Sequence, residues 1–508
     1  MAFLDKQSSV AGPGYSRWLI PPAALAVHMS IGQVYAFSVF KTSLVDRFGS
    51  SQTAVAWVFS IAIVFLGLAA AFGGRWVERN GPRRAMLLSA IFWSLGFFVG
   101  ALGISTGQLW LLYLGYGVLG GIGLGIGYIS PVSTLIKWFP DRPGLATGMA
   151  IMGFGGGALV AAPLSNQLLR WFDSDFDPNA RGAVASTSAL TNTFVTLGLI
   201  YLVFMMIGVA LMRLPQGYGG HDDEVAHQPG YGGALVRATA AMRTRQFWFL
   251  WVVLFCNVTA GIGILEQAAP MIQDFFRENG TSTVSAAVAA GFVGMLSVAN
   301  MLGRFAWSTT SDIIGRRRTY MMYLGVGAVM YALLATVGNT ATGVFVVLAL
   351  VIISFYGGGF ATVPAYLKDL FGTLEVGAIH GRLLTAWAAA GVAGPLIVNT
   401  VLDAAGEPGT MTAGDYRPAL FTMVGVLAVG LVANLLIRPV DSRHTDAEAA
   451  RTAQAQADDR ARASTTGAQT GAATTSPVVL TLAWLAVGLP LAYGLWFTVE
   501  RASRLVLG

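Results

Sequence analysis

The chain has 508 residues, of which 55% are hydrophobic and only 11% are charged, and its formal net charge is +6. Soluble domains carry about 25% charged residues, so this composition excludes an ordinary water-soluble protein. The basic residues lie between apolar stretches along the whole chain, which excludes a nucleic-acid surface despite a pI near 9.5.

Apolar runs of roughly 20 residues recur along the chain, and each is long enough to cross a bilayer as a helix. Backbone exposed to lipid must satisfy its own hydrogen bonds, so helices are predicted. Twelve spans are predicted before residue 440: 18–40, 54–73, 84–105, 109–130, 144–169, 193–213, 246–271, 285–308, 318–338, 341–366, 378–401 and 418–438. A polar, Gly-rich cytoplasmic loop, 214–245, separates two six-helix bundles, 1–213 and 246–440.

The composition changes after residue 440. Residues 441–476 are rich in Ala, Thr and Gln and are predicted to form a disordered linker. Residues 477–499 contain no charge and predict a thirteenth C-terminal span within 477–508. An interfacial helix is the alternative, because crossing places the two following arginines on the outer side.

The distribution of positive charge predicts the orientation. Fifteen Lys and Arg residues follow even-numbered spans, whereas six follow odd-numbered spans. Because positive residues are retained on the cytoplasmic side, the sequence predicts a multi-pass protein of the inner (cytoplasmic) membrane with a cytoplasmic N-terminus. No cleaved signal is expected, since the first 17 residues are polar and the first span is too long for a signal-peptide core.

One motif follows both span two and span eight, as GRWVERNGPRR and STTSDIIGRRR. Duplicated halves with a substrate between them are typical of secondary carriers, and the paired motif resembles the signature of the major facilitator superfamily. We expect its acid to cap the next helix and to bind the arginines while the cytoplasmic gate is closed. The gating residues are Gly74, Glu78, Arg83, Arg84, Asp312, Gly315, Arg316 and Arg317.

Arg304 is the only charge between Ser285 and Thr310, inside span eight. A charge at membrane depth costs at least ~2.5–3.5 kcal/mol on insertion scales, so it usually faces a cavity or a partner. Arginine holds a carboxylate in a planar fork and stays protonated. Asn300, four residues earlier, can orient it. The sequence therefore predicts that Arg304 binds an anionic substrate, with snorkelling to the interface as the alternative.

Further polar residues on the spans are candidates for the same cavity, with helix packing as the alternative for each. They are His28, Gln33, Tyr35, Tyr128, Tyr356, His380, Thr385 and Trp387. Tyrosine hydroxyls and the indole N–H are donors suited to carboxylate oxygens. Two titratable residues, His28 and Glu266, are candidates for proton coupling, with packing or gating as the alternative.

Four stretches carry a closer resemblance: GLGIGYISPVSTLIKWFPDRPGLATGMAIMGFGGG (123–157), NMLGRF (300–305), FYGGGFATVPAYLKDLFG (355–372) and HGRLLTAWAAAGVAGP (380–395). Together they resemble the oxalate/formate antiporter family, which is close to the monocarboxylate transporters, over about residues 15–440. The resemblance implies a carrier of small carboxylates in which Arg304 binds the carboxylate. Oxalate-carrying members use a lysine in span eleven as a second cation, and here Trp387 lies near that place. This departure favours a monocarboxylate such as formate, lactate or pyruvate.

The sequence thus predicts an all-α integral membrane protein with the twelve-span major facilitator fold of two six-helix bundles, plus a thirteenth span. Its predicted function is antiport of small organic anions by alternating access, with a proton-coupled symporter or a carboxylate sensor as alternatives. No enzyme, metal or cofactor is expected, because no acid, base or metal-ligand cluster and no Walker loop is present. The carrier is expected to act as a monomer in the lipid bilayer.

Overall fold

The computed structural model describes residues 2–177, 183–216, 235–278, 281–284, 286–405, 411–446 and 475–507. Within these ranges the chain is almost entirely helical. Twelve of its helices are long and apolar enough to cross a membrane. A further helix of 29 residues, Ala286–Ile314, lies between the seventh and the eighth of them in chain order. The structure therefore confirms the all-α membrane fold.

We label the thirteen long helices of these ranges α1 to α13 in chain order. The first six are Arg17–Ala36, Gln52–Asn80, Pro82–Thr106, Leu109–Trp138, Pro143–Phe172 and Thr187–Leu211. The next six are Arg245–Phe275, Ala286–Ile314, Arg316–Val337, Thr342–Phe371, Val376–Leu402 and Ala413–Leu436. The last, α13, is Pro477–Leu507. Shorter pieces include a helix over Ser38–Phe48, a helix over Ala238–Ala241 and an antiparallel pair of strands, Arg277–Glu278 and Thr281–Ser282.

The two copies of the repeated motif form the same tight turn. Gly81 separates α2 from α3 with φ 86°, and Gly315 separates α8 from α9 with φ 88°. Residues with a Cβ rarely adopt this region, so glycine is required in both turns. The end of the molecule that carries these turns is called the motif end below, and the opposite end, with the turn at Gly107, is the far end.

The motif residues before each glycine lie in helices, whereas the sequence analysis placed them in loops. The second span was predicted to end at residue 73, but α2 continues to Asn80 and so contains Gly74 and Glu78. Likewise α8 continues to Ile314 and contains Asp312. Hydropathy marks where side chains leave the lipid, and the backbone hydrogen bonds of a helix can continue beyond that point.

The halves α1–α6 and α7–α12 meet chiefly through two pairs of helices, α2 with α11 and α5 with α8, and α5 also packs against α10. Glycines allow the close approach at both crossings. A Cβ on Gly74 would lie 2.7 Å from Ala378 Cα, and one on Gly148 would lie 3.1 Å from the carbonyl oxygen of Arg304. Small residues at such crossings let helix backbones pack closely within a membrane.

The C-terminal helix α13 packs outside the two halves, against α1, α5 and α8. The chain before it is fixed at the motif end, where the Thr475 N–H donates to the Gly14 carbonyl oxygen at 3.1 Å. Most of the predicted linker, 447–474, lies outside the described residues, as does 217–234 of the predicted central loop. The described start of the linker is tied to the central loop by an ion pair between Asp446 and Arg237.

Candidate functional site

Arg304 lies fully buried where α8 crosses α5, with 0% of its surface exposed. The crossing is close because Gly155 faces the guanidinium, and a Cβ there would lie 2.7 Å from Arg304 Nε. The side chain therefore does not snorkel to the interface, which excludes the alternative weighed from the sequence.

The guanidinium is oriented without being neutralised. Its Nε donates to Asn300 Oδ1 at 3.0 Å, and its Nη1 donates to the Ile151 carbonyl oxygen at 3.5 Å. The rings of Phe154 and Phe360 lie 5.7 and 5.1 Å from the guanidinium carbon. Nη2 is buried with no hydrogen-bond partner, and no carboxylate of the described residues forms an ion pair with Arg304. A buried charge without a counterion is energetically costly, which makes Arg304 the centre of the candidate site.

Six aromatic residues surround the guanidinium and form what we call the aromatic cage. They are Tyr35, Tyr128, Phe154, Tyr356, Phe360 and Trp387. The Tyr128 ring lies 5.3 Å from the Phe154 ring and 5.5 Å from the Trp387 ring. The first three residues come from the N-terminal half and the last three from the C-terminal half. Any ligand in the cage therefore contacts both halves.

Several polar atoms of the cage and its neighbours have no hydrogen-bond partner. Among the described residues these are Arg304 Nη2, the Tyr128 hydroxyl, Trp387 Nε1, His28 Nδ1 and His380 Nε2. The Tyr128 hydroxyl lies close to the guanidinium without reaching hydrogen-bond geometry. Because buried polar groups are nearly always paired in native proteins, this concentration makes the cage the candidate ligand site.

Both histidines contact the cage through Tyr128. His28 Nε2 lies 3.2 Å from the Tyr128 carbonyl oxygen, and the two rings meet edge to face at 5.4 Å. The His380 ring lies 5.8 Å from the Tyr128 ring. The Tyr35 hydroxyl lies 3.5 Å from the Tyr356 hydroxyl and joins the two halves. Of the ten residues predicted for the cavity, the structure thus brings eight together: Arg304, Asn300, His28, Tyr35, Tyr128, Tyr356, His380 and Trp387.

Three other candidates lie away from the cage. Gln33 accepts a hydrogen bond from the Tyr116 hydroxyl at 2.9 Å inside the N-terminal half. Thr385 accepts one from Trp251 Nε1 at 2.9 Å. Glu266 accepts one from Asn399 Nδ2 at 3.3 Å within the C-terminal half. These contacts are made inside one half and do not reach Arg304.

The sequence analysis missed Phe154 and Phe360, the two rings beside the guanidinium. A phenylalanine in an apolar helix is normally read as core or lipid-facing. A signal was nevertheless present, because Phe154 precedes three glycines in FGGG and Phe360 follows three glycines in GGGF. Consecutive glycines within a membrane helix mark a close crossing, so the adjoining ring is fixed at an interface between helices.

The two motif acids cap helices of the opposite half, whereas the sequence analysis expected them to cap the next helix. Asp312 of α8 accepts hydrogen bonds from the N–H groups of Gly144 and Leu145 at 2.9 and 2.8 Å, at the start of α5. Glu78 of α2 accepts one from the Gly377 N–H at 3.1 Å, at the start of α11. A carboxylate is favoured at a helix N-terminus, so these contacts hold the motif end closed.

The four motif arginines have different partners: two bind groups of the C-terminal half, and two bind the N-terminal segment. Arg316 pairs with Asp312 and also with Asp369, the latter at 3.2 Å, and Arg317 donates to the Leu435 carbonyl oxygen at 2.5 Å. In the first copy, Glu78 pairs with Lys137 instead, at 2.5 Å. The remaining two arginines hold the N-terminal segment: Arg83 donates to the carbonyl oxygens of Phe3, Ser8 and Met212, and Arg84 pairs with Asp5.

Comparison with known proteins places the chain in a family. The Major Facilitator Superfamily profile matches residues 23–395 and 297–500. The oxalate:formate antiporter of Oxalobacter formigenes is 26% identical over 380 residues, which cover 75% of this chain and 83% of that protein. The apicoplast pyruvate carrier 1 of Toxoplasma gondii is 26% identical over 408 residues, which cover 72% of this chain and 73% of that protein.

A solved structure has the same fold. The major facilitator transporter FucP, in its outward conformation, matches with a TM-score of 0.60 and 14% identity over 84% of this chain and 100% of that chain. Its fold agrees with the arrangement of α1–α12 described above. The profile match covers well over half of the sequence, and the chain therefore belongs to the major facilitator superfamily.

Proposed function

We propose that the protein is a secondary transporter of small monocarboxylates, such as formate, lactate or pyruvate, and that Arg304 binds the carboxylate. The observation that carries this proposal is the fully buried guanidinium that lacks an acidic partner among the described residues and leaves Nη2 without a hydrogen bond. A bound carboxylate supplies the missing negative charge and forms a charge-assisted hydrogen bond with Nη2.

The remaining donors of the cage fit the same ligand. The Tyr128 hydroxyl and Trp387 Nε1 are unpaired and belong to rings 5.5 Å apart. A carboxylate has two oxygens that accept several hydrogen bonds, so it can use both donors as well as the guanidinium. The surrounding rings then cover the small apolar part of the anion. Because the cage holds one arginine among uncharged aromatic rings, it favours an anion with one carboxylate over an anion with two.

Because the cage lies between the two halves, anion binding affects how the halves move relative to each other. Arg304 and Asn300 belong to the C-terminal half, whereas Tyr128 and Phe154 belong to the N-terminal half. An anion held by both stabilises the state in which the halves are close together. Without it, that state contains an uncompensated buried charge, which raises its free energy. We therefore infer that anion exchange is favoured over return of the empty carrier.

The orientation follows from the charge distribution. We propose that the motif end faces the cytoplasm of a cell with this protein in its inner membrane, because the basic loops gather at that end. With Asp312 and Glu78 capping helices of the opposite halves, the structure then corresponds to a carrier closed toward the cytoplasm. The turns at the far end face outward.

Proton-coupled symport is the second candidate, and one observation supports it. His28 is fully buried beside Tyr128, and its Nδ1 has no hydrogen-bond partner among the described residues. A histidine at that place can take up a proton together with the anion. Glu266 is a weaker candidate, because its carboxylate is bound by Asn399 away from the cage.

Transport by proteoliposomes tests the proposal and separates the two candidates. Vesicles are loaded in turn with unlabelled formate, lactate, pyruvate or oxalate, and uptake of the same labelled anion is followed with and without a pH gradient. Acceleration by internal anion without a gradient supports exchange. Gradient-driven uptake into empty vesicles, lost in His28→Gln, supports symport. Absence of Arg304-dependent uptake of all four anions would overturn the proposed substrate class.

A further inference from the structure

The helix α13 lies across the boundary between the two halves and contacts both of them. On the N-terminal half, Gly494 packs on α5 so closely that a Cβ would lie 2.5 Å from the Leu159 carbonyl oxygen. On the C-terminal half, Thr498 packs on Gly294 of α8, where an added Cβ would lie 2.8 Å from Thr498 Cγ2. These contacts place residues 494–498 of α13 over the seam between α5 and α8.

The two helices beneath α13 diverge toward the far end. Near the motif end, α5 and α8 touch through Gly144, Gly148 and Gly155. Further along, a cavity of about 160 Å³ opens between them, lined by 158–166 of α5 and 291–297 of α8. A void of this size holds on the order of ten waters.

This cavity adjoins the aromatic cage. Its lining includes Tyr35, whose hydroxyl lies 3.5 Å from the Tyr356 hydroxyl of the cage. The lining is uncharged and mixes apolar residues with polar ones, among them Ser38, Asn166, Ser297 and Thr498. Such a surface can hydrate an anion without binding it tightly, which suits a route toward Arg304.

The helix α13 forms one side of the cavity and separates it from the surroundings of the molecule. Phe497 and Thr498 line the cavity, whereas Leu489 and Trp496, on other faces of the same helix, are 64% and 71% exposed. A membrane helix with such exposed apolar side chains faces lipid. Without α13, the cavity would open between α5 and α8 into hydrocarbon, where its polar residues would lose hydrogen bonds to water.

We propose that the cavity is the access route from the far end to the aromatic cage and that α13 forms its lateral wall. The thirteenth helix is then part of the transport pathway. The inference rests on the proposed function in one respect: it takes the aromatic cage to be the substrate site at which the route ends.

Thiol labelling tests the wall directly and needs no knowledge of the substrate. In the full chain with Cys256→Ser, which removes the one native cysteine, we introduce Thr498→Cys, Ser297→Cys or the lipid-facing control Leu489→Cys. The probe is a membrane-impermeant methanethiosulfonate with a sulfonate group. We expect the first two variants to react at least about tenfold faster than the control, because thiolates form only in contact with water. Reaction of T498C as slow as that of L489C, while S297C reacts, would overturn the proposal.

A pair of glycines in α13 tests the role of the wall in transport. Gly494→Leu forces the helix away from α5, whereas Gly488→Leu is the matched control, because nothing lies within 4 Å of a Cβ at Gly488. We expect G494L to lower uptake of labelled anion several-fold at equal protein level, while binding of that anion to the detergent-solubilised protein persists.

The controls distinguish failure of this inference from failure of the proposed function. Uptake by G494L equal to that by G488L and the wild type contradicts the inference. If the wild type does not bind any of the anions, the proposed function is contradicted. The labelling experiment still decides whether α13 lines an aqueous route, because it does not depend on the substrate.

Discussion

Asn300→Asp tests most directly whether the charge of Arg304 is available to a bound anion. It keeps the shape of the side chain and adds one negative charge next to the guanidinium, since Asn300 Oδ1 accepts from Arg304 Nε at 3.0 Å. Asn300 is buried, with 5% of its surface exposed, so solvent screens the new charge little. The introduced carboxylate then takes the place of the partner that Arg304 lacks.

The magnitude follows from the geometry. Two carboxylates that bind different edges of one guanidinium lie about 6 Å apart, and at an effective dielectric constant of about 20 their repulsion is about 3 kcal/mol. This corresponds to roughly a hundredfold weaker binding of the anion at neutral pH. Protonation of the introduced carboxylate removes the repulsion, so binding should recover as the pH falls.

Equilibrium binding of labelled formate, lactate or pyruvate to the purified protein measures this effect at about pH 7.5 and about pH 4.5, the latter approaching the ordinary Asp pKa of about 3.9. Asn300→Ala is the control, because it removes the hydrogen bond without adding charge. We expect this control to weaken binding about tenfold or less, without pH dependence. Binding by N300D as tight as wild type at the higher pH would refute the placement of the anion at Arg304.

Three further predictions concern the site and the gate. Arg304→Met removes an uncompensated buried charge, so the unfolding temperature of the ligand-free protein should not fall, and a large fall would indicate a structural role instead. Anion at a hundred times its Kd should stabilise the wild type by about 2.7 kcal/mol, and this stabilisation should vanish in the variant. Asp312→Asn weakens the charged cap on α5, so amide exchange in the first turn of α5 should accelerate up to ~30-fold by mass spectrometry, while Asp46→Asn at the far end should leave it unchanged. Gly155→Ala pushes a methyl group against Arg304 Nε and should weaken anion binding, whereas Gly325→Ala, whose Cβ would meet only Leu431 at 3.7 Å, should not; equal affinities would contradict the proposed position of the guanidinium.

Features that depend on local sequence were predictable. Apolar runs identified the spans, and α3 extends over Pro82–Thr106 against a predicted 84–105. The charge of Arg304 within an apolar run indicated that its side chain is buried inside the protein, because such a residue is costly in lipid, and Arg304 is 0% exposed. Asn300 was expected to orient it, and the hydrogen bond between these two side chains is present.

Features that depend on the packing of the two halves were not predictable in the same way. Asp312 and Glu78 cap helices that are distant in sequence, and no local pattern identifies the partner of a cap across an interface. Arg83 was expected at the gate by analogy between the two motif copies. It instead stacks on the ring of Phe3, with its guanidinium carbon 4.2 Å from the ring centroid, because the N-terminal segment folds onto it, which no local pattern predicts.

The place of α13 could not be inferred from composition either. Its apolar residues predict a membrane helix but not its neighbours. The glycines that decide its packing, Gly494 on the helix itself and Gly294 on α8, resemble the many other glycines of the chain. Only the structure shows that they meet other helices while Gly488 does not.

The central claim is that Arg304 binds a carboxylate, and the most direct measurement compares anion binding by the wild type, Arg304→Lys and Arg304→Gln. Loss of a charged hydrogen-bond donor costs about 1.5–3 kcal/mol per bond, so we expect R304Q to lose binding of labelled formate, lactate or pyruvate by at least about a hundredfold when two bonds are lost. R304K keeps the charge without the planar fork and should lie between the two. A correctly folded R304Q protein that binds the anion within about twofold of the wild type would contradict the account. A twofold change is well below the tenfold that corresponds to about 1.4 kcal/mol.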